Sequence, residues 1–127
     1  MELANARFRE FAMHGSVDGM KRHADLSDVN GREGGSGRTA LHKAAFWGHT
    51  EAIGYLLSLG AQPDAQDGAG DTALHDAARF GHADVCRALI KGGASKAMVN
   101  KEGQDVMATA VEYGKDEIVQ ILRSARL

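Results

Sequence analysis

Gly15, Gly48, Gly81 and Gly114 stand 33 residues apart, and the spacing is not confined to glycine. Thr39-Ala-Leu-His42 returns as Thr72-Ala-Leu-His75, and Ala44-Ala45 as Ala77-Ala78. Gly48-His49 returns as Gly81-His82, and Gly60-Ala61 as Gly93-Ala94. Acidic residues keep the same register at Asp18, Glu51, Asp84 and Glu117. A fixed period of this length marks a repeat architecture, in which no unit can bury its apolar face alone and stacked units can.

Each unit reads as helix, tight turn, helix, extended loop. Thr39, Thr72 and Asp105 share one repeat position, and each has a side-chain oxygen that can accept an orphan N–H at a helix start. The glycine that ends the first helix suits a left-handed C-cap. The second helix places its acid in the first turn, where the helix dipole favours negative charge. Gly60 and Gly93 close that helix, and turn-rich stretches ("AQPDAQDGAGD", "ASKAMVNKEGQD") lead to the next unit. Apolar ladders run at the same period: Phe8, Leu41, Leu74 and Met107; Met20, Ile53, Cys86 and Val119; Leu56, Leu89 and Leu122. Ala44, Ala77 and Ala110 let first helices approach closely. All are expected to be core, and Cys86, on a ladder, is expected to be a small buried hydrophobe.

Composition adds bounds. The 127 residues suit one domain, and 43% hydrophobic with 25% charged residues is ordinary for a folded chain. A net charge of −2 gives no electrostatic footprint for nucleic acid or an anionic membrane. The lone cysteine suits a reducing compartment. "MELANARFREF" lacks the apolar run of a signal peptide, and no stretch reaches the roughly 20 apolar residues of a membrane span. A cytoplasmic or nuclear location is expected.

The segments "GRTALHKAAFWGHTEAIGYLLSLGA" and "GDTALHDAARFGHADVCRALIKGGA" resemble ankyrin repeats, whose hallmark is TPLH-x-AA-x-x-GH on a 33-residue period. The resemblance implies an all-α solenoid of four helix-turn-helix units with projecting β-hairpin loops. The expected domain spans 1–127: a degenerate N-terminal capping repeat (1–33), repeats at 34–66 and 67–99, and a truncated C-terminal capping repeat (100–127). The outer units depart from the pattern. Arg123 replaces Leu57 and Ile90, giving a polar outer face, and Phe11 takes the alanine position. The family's proline is alanine at Ala40 and Ala73, a small expected loss of stability without change of fold.

By the same resemblance, first helices line a concave face and the loops project as fingers. The pairs Met13-His14, Phe46-Trp47, Arg79-Phe80 and Glu112-Tyr113 would then lie along one groove, with His14, Trp47, Phe80 and Tyr113 forming an aromatic column. Two readings stand open. The rings are anchors for a partner, since Trp and Tyr concentrate interface energy, or they half-pack between units. Candidate finger contacts are Arg32, Glu33 and Arg38, then Asp67 and Asp71, then Lys101, Glu102 and Gln104; their mixed signs imply no strongly acidic or basic partner. The first finger, "NGREGGSGRT", carries four glycines and is expected to be the most mobile.

Other chemistry is absent from the pattern. "GREGGSGRT" fails as a phosphate loop on spacing, has Arg38 where the lysine would matter, and follows no strand. His42, His75, His49 and His82 are repeat residues, which in the family tie units together, and equivalent rings lie about 10 Å apart. Ligands of one zinc sit near 2 Å from the metal. No nucleophile-base-orienter set appears. The expectation is a non-enzymatic, monomeric protein-interaction scaffold, with no cofactor or metal, that binds another protein or peptide segment. The alternative is an assembly subunit that packs through its convex face or its terminal helices around Arg7, Arg123 and Arg126.

Overall fold

The computed structural model describes residues 2–125. Its helices come in four pairs: α1 (Glu2–Met13) with α2 (Val17–His23), α3 (Ala40–Phe46) with α4 (Thr50–Ser58), α5 (Ala73–Phe80) with α6 (Ala83–Lys91), and α7 (Val106–Glu112) with α8 (Asp116–Ser124). First helices pack in the order α1–α3–α5–α7 and second helices in the order α2–α4–α6–α8. This is the layered contact pattern of an all-helical solenoid.

The repeat residues set the helix ends. The Thr39 hydroxyl accepts from the His42 N–H at 3.3 Å, and the Thr39 N–H donates to His42 Nδ1 at 3.1 Å. Thr72 and His75 repeat this reciprocal cap. His42 Nε2–H then donates to the Asp71 carbonyl at 2.8 Å, and His75 Nε2–H to the Gln104 carbonyl at 3.1 Å, so each histidine also ties its unit to the next finger. Asp105 caps α7 by accepting from the Ala108 N–H at 2.8 Å. Ala108 takes the histidine position there, so the reciprocal bond is missing.

The turn glycines are left-handed, with φ of +70° at Gly15, +77° at Gly48, +77° at Gly81 and +67° at Gly114. Space forbids a side chain at Gly48 as firmly as conformation does: a Cβ would lie 2.6 Å from His82 Nδ1. That imidazole is held close because its Nε2–H donates to the Phe46 carbonyl at 2.9 Å.

The ladder residues are buried, with Met107 half-buried. Burial also pushes the Cys86 thiol up to about 12, as suits a core residue. Phe11 half-packs over Gly19 and lies 5.1 Å from His23, filling a space that alanines leave elsewhere.

The fingers differ from expectation. No strand occurs among the described residues. Each finger is a turn whose arms are closed by two backbone bonds: Glu33 N–H to Arg38 O with Gly37 N–H to Glu33 O, Asp67 N–H to Asp71 O with Gly70 N–H to Asp67 O, and Asn100 N–H to Gln104 O with Gly103 N–H to Asn100 O. Such arms are too short for a β ladder. The first finger carries several ties. The Ser36 hydroxyl and the Lys43 ammonium both donate to Glu33, Arg32 donates to the Gly37 carbonyl, and Gly68 N–H donates to Ser36 O in the neighbouring finger. Gly35 and Gly37, at positive φ, shape this turn. Among the described residues, no helix is long and apolar enough to cross a membrane.

Candidate partner-binding face

Three repeat positions on the first helices define one surface. In unit order they hold Glu10, Lys43, Asp76 and Thr109; Met13, Phe46, Arg79 and Glu112; and His14, Trp47, Phe80 and Tyr113. The helix ends place the last two rows, because the left-handed glycine follows the ring directly and turns the chain away.

The aromatic residues divide. Trp47 is 56% exposed, Phe80 42% and Tyr113 47%, and His14 is exposed as well. Phe46 is half-buried, with its ring centroid 4.4 Å from Phe80 and 5.1 Å from Trp47. It links neighbouring units while the other three rings stay open. Met13, His14, Trp47 and His49 line a hollow of about 270 Å³.

A network of charges lies below and beside the rings. Arg38 reaches from the first finger to Asp67 at 2.9 Å and to Asp76 at 2.7 Å. Arg79 pairs with Asp71 at 3.1 Å and lies 3.5 Å from the other Asp76 oxygen. Asn100 Nδ2–H donates to Asp71 at 2.9 Å. The guanidinium groups also touch rings, Arg38 at 5.4 Å from the Phe46 centroid and Arg79 at 5.6 Å from that of Tyr113. Burial pushes the Asp76 carboxyl up to about 7 against the pull of Arg38. Burial raises Asp71 too, but its bonds from Arg79 and Asn100 hold it below the ordinary value. Hydrogen bonds from Ser36 and Lys43 lower Glu33.

This geometry redistributes the sequence candidates. Trp47, Phe80, Tyr113 and His14 are open. Glu112 is exposed, accepting from Gln104 at 2.7 Å, and Lys101 is exposed on the third finger. Arg38, Arg79 and Asp71 were candidates for contact, but their charged groups are spent within the chain, and Asp71 is buried. They hold the face together. Sequence reading passed over Asp76, because Arg38, its closest partner, comes from the finger of the preceding unit; the available signal was an acid at a position held by Lys43 and Thr109 in the neighbouring units.

Two comparisons bear on identity. A family model described as ankyrin repeats (many copies) matches residues 9–57 and 43–90, which together cover more than half of the chain. No curated protein matches it.

Proposed function

The chain belongs to the ankyrin-repeat family, whose members are generally protein–protein interaction modules, and from that premise we propose that its first-helix face binds a segment of another protein. Residues 1–127 act as one ankyrin-repeat domain, with 1–33 and 100–127 as its outer repeats. Trp47, Phe80 and Tyr113 are the anchors, Met13, His14 and Glu112 flank them, and Lys101 contributes from its finger. Phe46, Arg38, Arg79 and Asp71 keep these groups in place. The module is non-enzymatic, needs no cofactor, and works as a monomer in the cytoplasm or nucleus.

The observation that carries this reading is the exposure of three rings in one register on one face. Aromatic rings serving only as inter-unit packing would be covered, as Phe46 partly is. Affinity capture from the source cell tests it, with the intact chain compared to Trp47→Ala/Phe80→Ala and circular dichroism confirming that both fold. Loss of a specific partner from the folded variant is expected. Equal capture by both would remove the rings from the interface.

A second reading has its own support. Val111 is 61% exposed at the repeat position of Ala45 and Ala78, which are buried between units. Arg87, Ile90, Gln120 and Ile121 line part of a hollow of about 470 Å³ on α6 and α8. An assembly subunit would use these surfaces together with Arg7 and Arg123; Arg126 lies outside the described residues. Capture lost on Val111→Glu or Ile121→Glu, and kept in the ring variant, would favour it.

A further inference from the structure

The charges on the first-helix face are not balanced in what they offer to a partner. At the three repeat positions that form the face, the cations are Lys43 and Arg79. Lys43 sits 3.0 Å from Glu33 and Arg79 sits 3.1 Å from Asp71. Arg38, entering from the first finger, lies between Asp67 and Asp76. The carboxylates Glu10 and Glu112, at the two ends of the aromatic column, are exposed and have no cation within 4.0 Å among the described residues. On the third finger Glu102 is also exposed, beside Lys101, and Arg32 of the first finger gives its N–H groups to the Gly37 and Gln66 carbonyls. The first-helix positions therefore present open rings and unpaired carboxylates while Lys43 and Arg79 are paired; on the fingers, Lys101 and Arg32 have no carboxylate within 4.0 Å among the described residues. Rings and carboxylates together are a receptor for cations, through the ring quadrupole and direct charge pairing. The same face already seats two guanidinium groups on rings, Arg38 on Phe46 and Arg79 on Tyr113, and Tyr113, 47% exposed, keeps ring surface open beside Arg79.

Spacing restricts the backbone that could deliver such cations. Equivalent rings on adjacent packed helices stand about 10 Å apart. Three residues of polyproline-type chain advance about 9 Å and return to the same side. In a β-strand the third residue points to the opposite face. Two turns of α-helix also cover about 11 Å, but helical carbonyls are already bonded. Trp47 Nε1 and Tyr113 Oη make no hydrogen bond among the described residues and are donors suited to free carbonyls.

Resting on the reading that this face is the binding face, we propose that its occupant is an extended segment carrying arginine or lysine at every third residue. The cationic side chains lie on Trp47, Phe80 and Tyr113, with Glu10 and Glu112 as counter-charges.

Trp47 is the sole tryptophan, so its emission reports occupancy of this face directly. The full chain is titrated with nine-residue proline-rich peptides: arginine at every third position, glutamine at those positions, glutamate at those positions, and the same arginines placed contiguously. The spaced arginine peptide is expected to give a saturable emission change. Exposed Glu10→Gln and Glu112→Gln should each weaken it by up to about fivefold. Tyr113→Leu should cost about fivefold, with circular dichroism confirming that each variant is folded. An equal response to the glutamine peptide would overturn the charge requirement, and an equal response to contiguous arginines would overturn the spacing. No response to any peptide would overturn the proposal altogether. A cellular partner lost in Trp47→Ala/Phe80→Ala while the arginine peptides stay silent would leave the binding face standing and remove this occupant.

Discussion

At Asp76, packing and charge pull in opposite directions, and pH is the handle that separates them. Its carboxyl is raised from 3.8 to about 7 because burial outweighs Arg38. Between those values the folded chain holds more protons at this site than the unfolded chain does, so the site's stability contribution is lost as pH rises through 7. Burial lowers His42 from 6.5, with the opposite effect: the unfolded chain takes the proton first, and stability drops as pH falls below about 6.5. Asp76→Asn should therefore abolish the gain in stability that the parent shows on going from pH 8 to pH 6.5. Urea unfolding midpoints at the two pH values measure this, and an unchanged pH slope would contradict the assignment. Glycines give a sharper contrast. Gly48→Ala meets both a φ of +77° and His82 at 2.6 Å, so it should cost about 1–3 kcal/mol, whereas Gly34→Ala, with nothing within 4 Å, should be close to neutral.

The helix starts show how far local chemistry can be read from a sequence. Thr39, Thr72 and Asp105 announced caps through their oxygen atoms, and the left-handed glycines announced stops, because each feature depends on neighbours only a few residues away. The Arg38–Asp67–Asp76 cluster did not show itself, since its members come from different units and only folding sets their distances. The ties of the first finger were hidden for a related reason: glycine reports what a backbone is free to do, and the bonds from Arg32, Ser36 and Lys43 depend on residues outside the glycine run. A consequence follows for caps. Thr72 holds α5 and also orients His75 toward the Gln104 carbonyl, while Asp105 only caps α7. Thr72→Ala should thus cost about 1–2 kcal/mol and exceed Asp105→Ala, which should cost about 1 kcal/mol. Equal losses in chemical unfolding would deny the histidine its bridging role.

Across the whole molecule, buried ladders and exposed rings occupy different positions of one repeat. The ladders from Phe8 to Val119 bury the stack, and the ring column beside them stays open. Both were legible from the period of 33 residues, but openness could not be read from sequence, because an aromatic residue at that position serves packing and binding equally well. Phe46 and Trp47 are adjacent in sequence, yet Phe46 is half-buried and Trp47 is exposed. Trp47→Ala should accordingly leave the unfolding midpoint nearly unchanged, and Phe46→Ala, which removes the contact with Phe80 at 4.4 Å, should lower it clearly. The most direct test of the binding face is site-specific photo-crosslinking in the source cell, with benzoylphenylalanine placed at Trp47 or, separately, at the exposed Gln120 of α8. A protein adduct from position 47 with none from position 120 is expected. Adducts from position 120 alone would place recognition on the second helices and contradict the account.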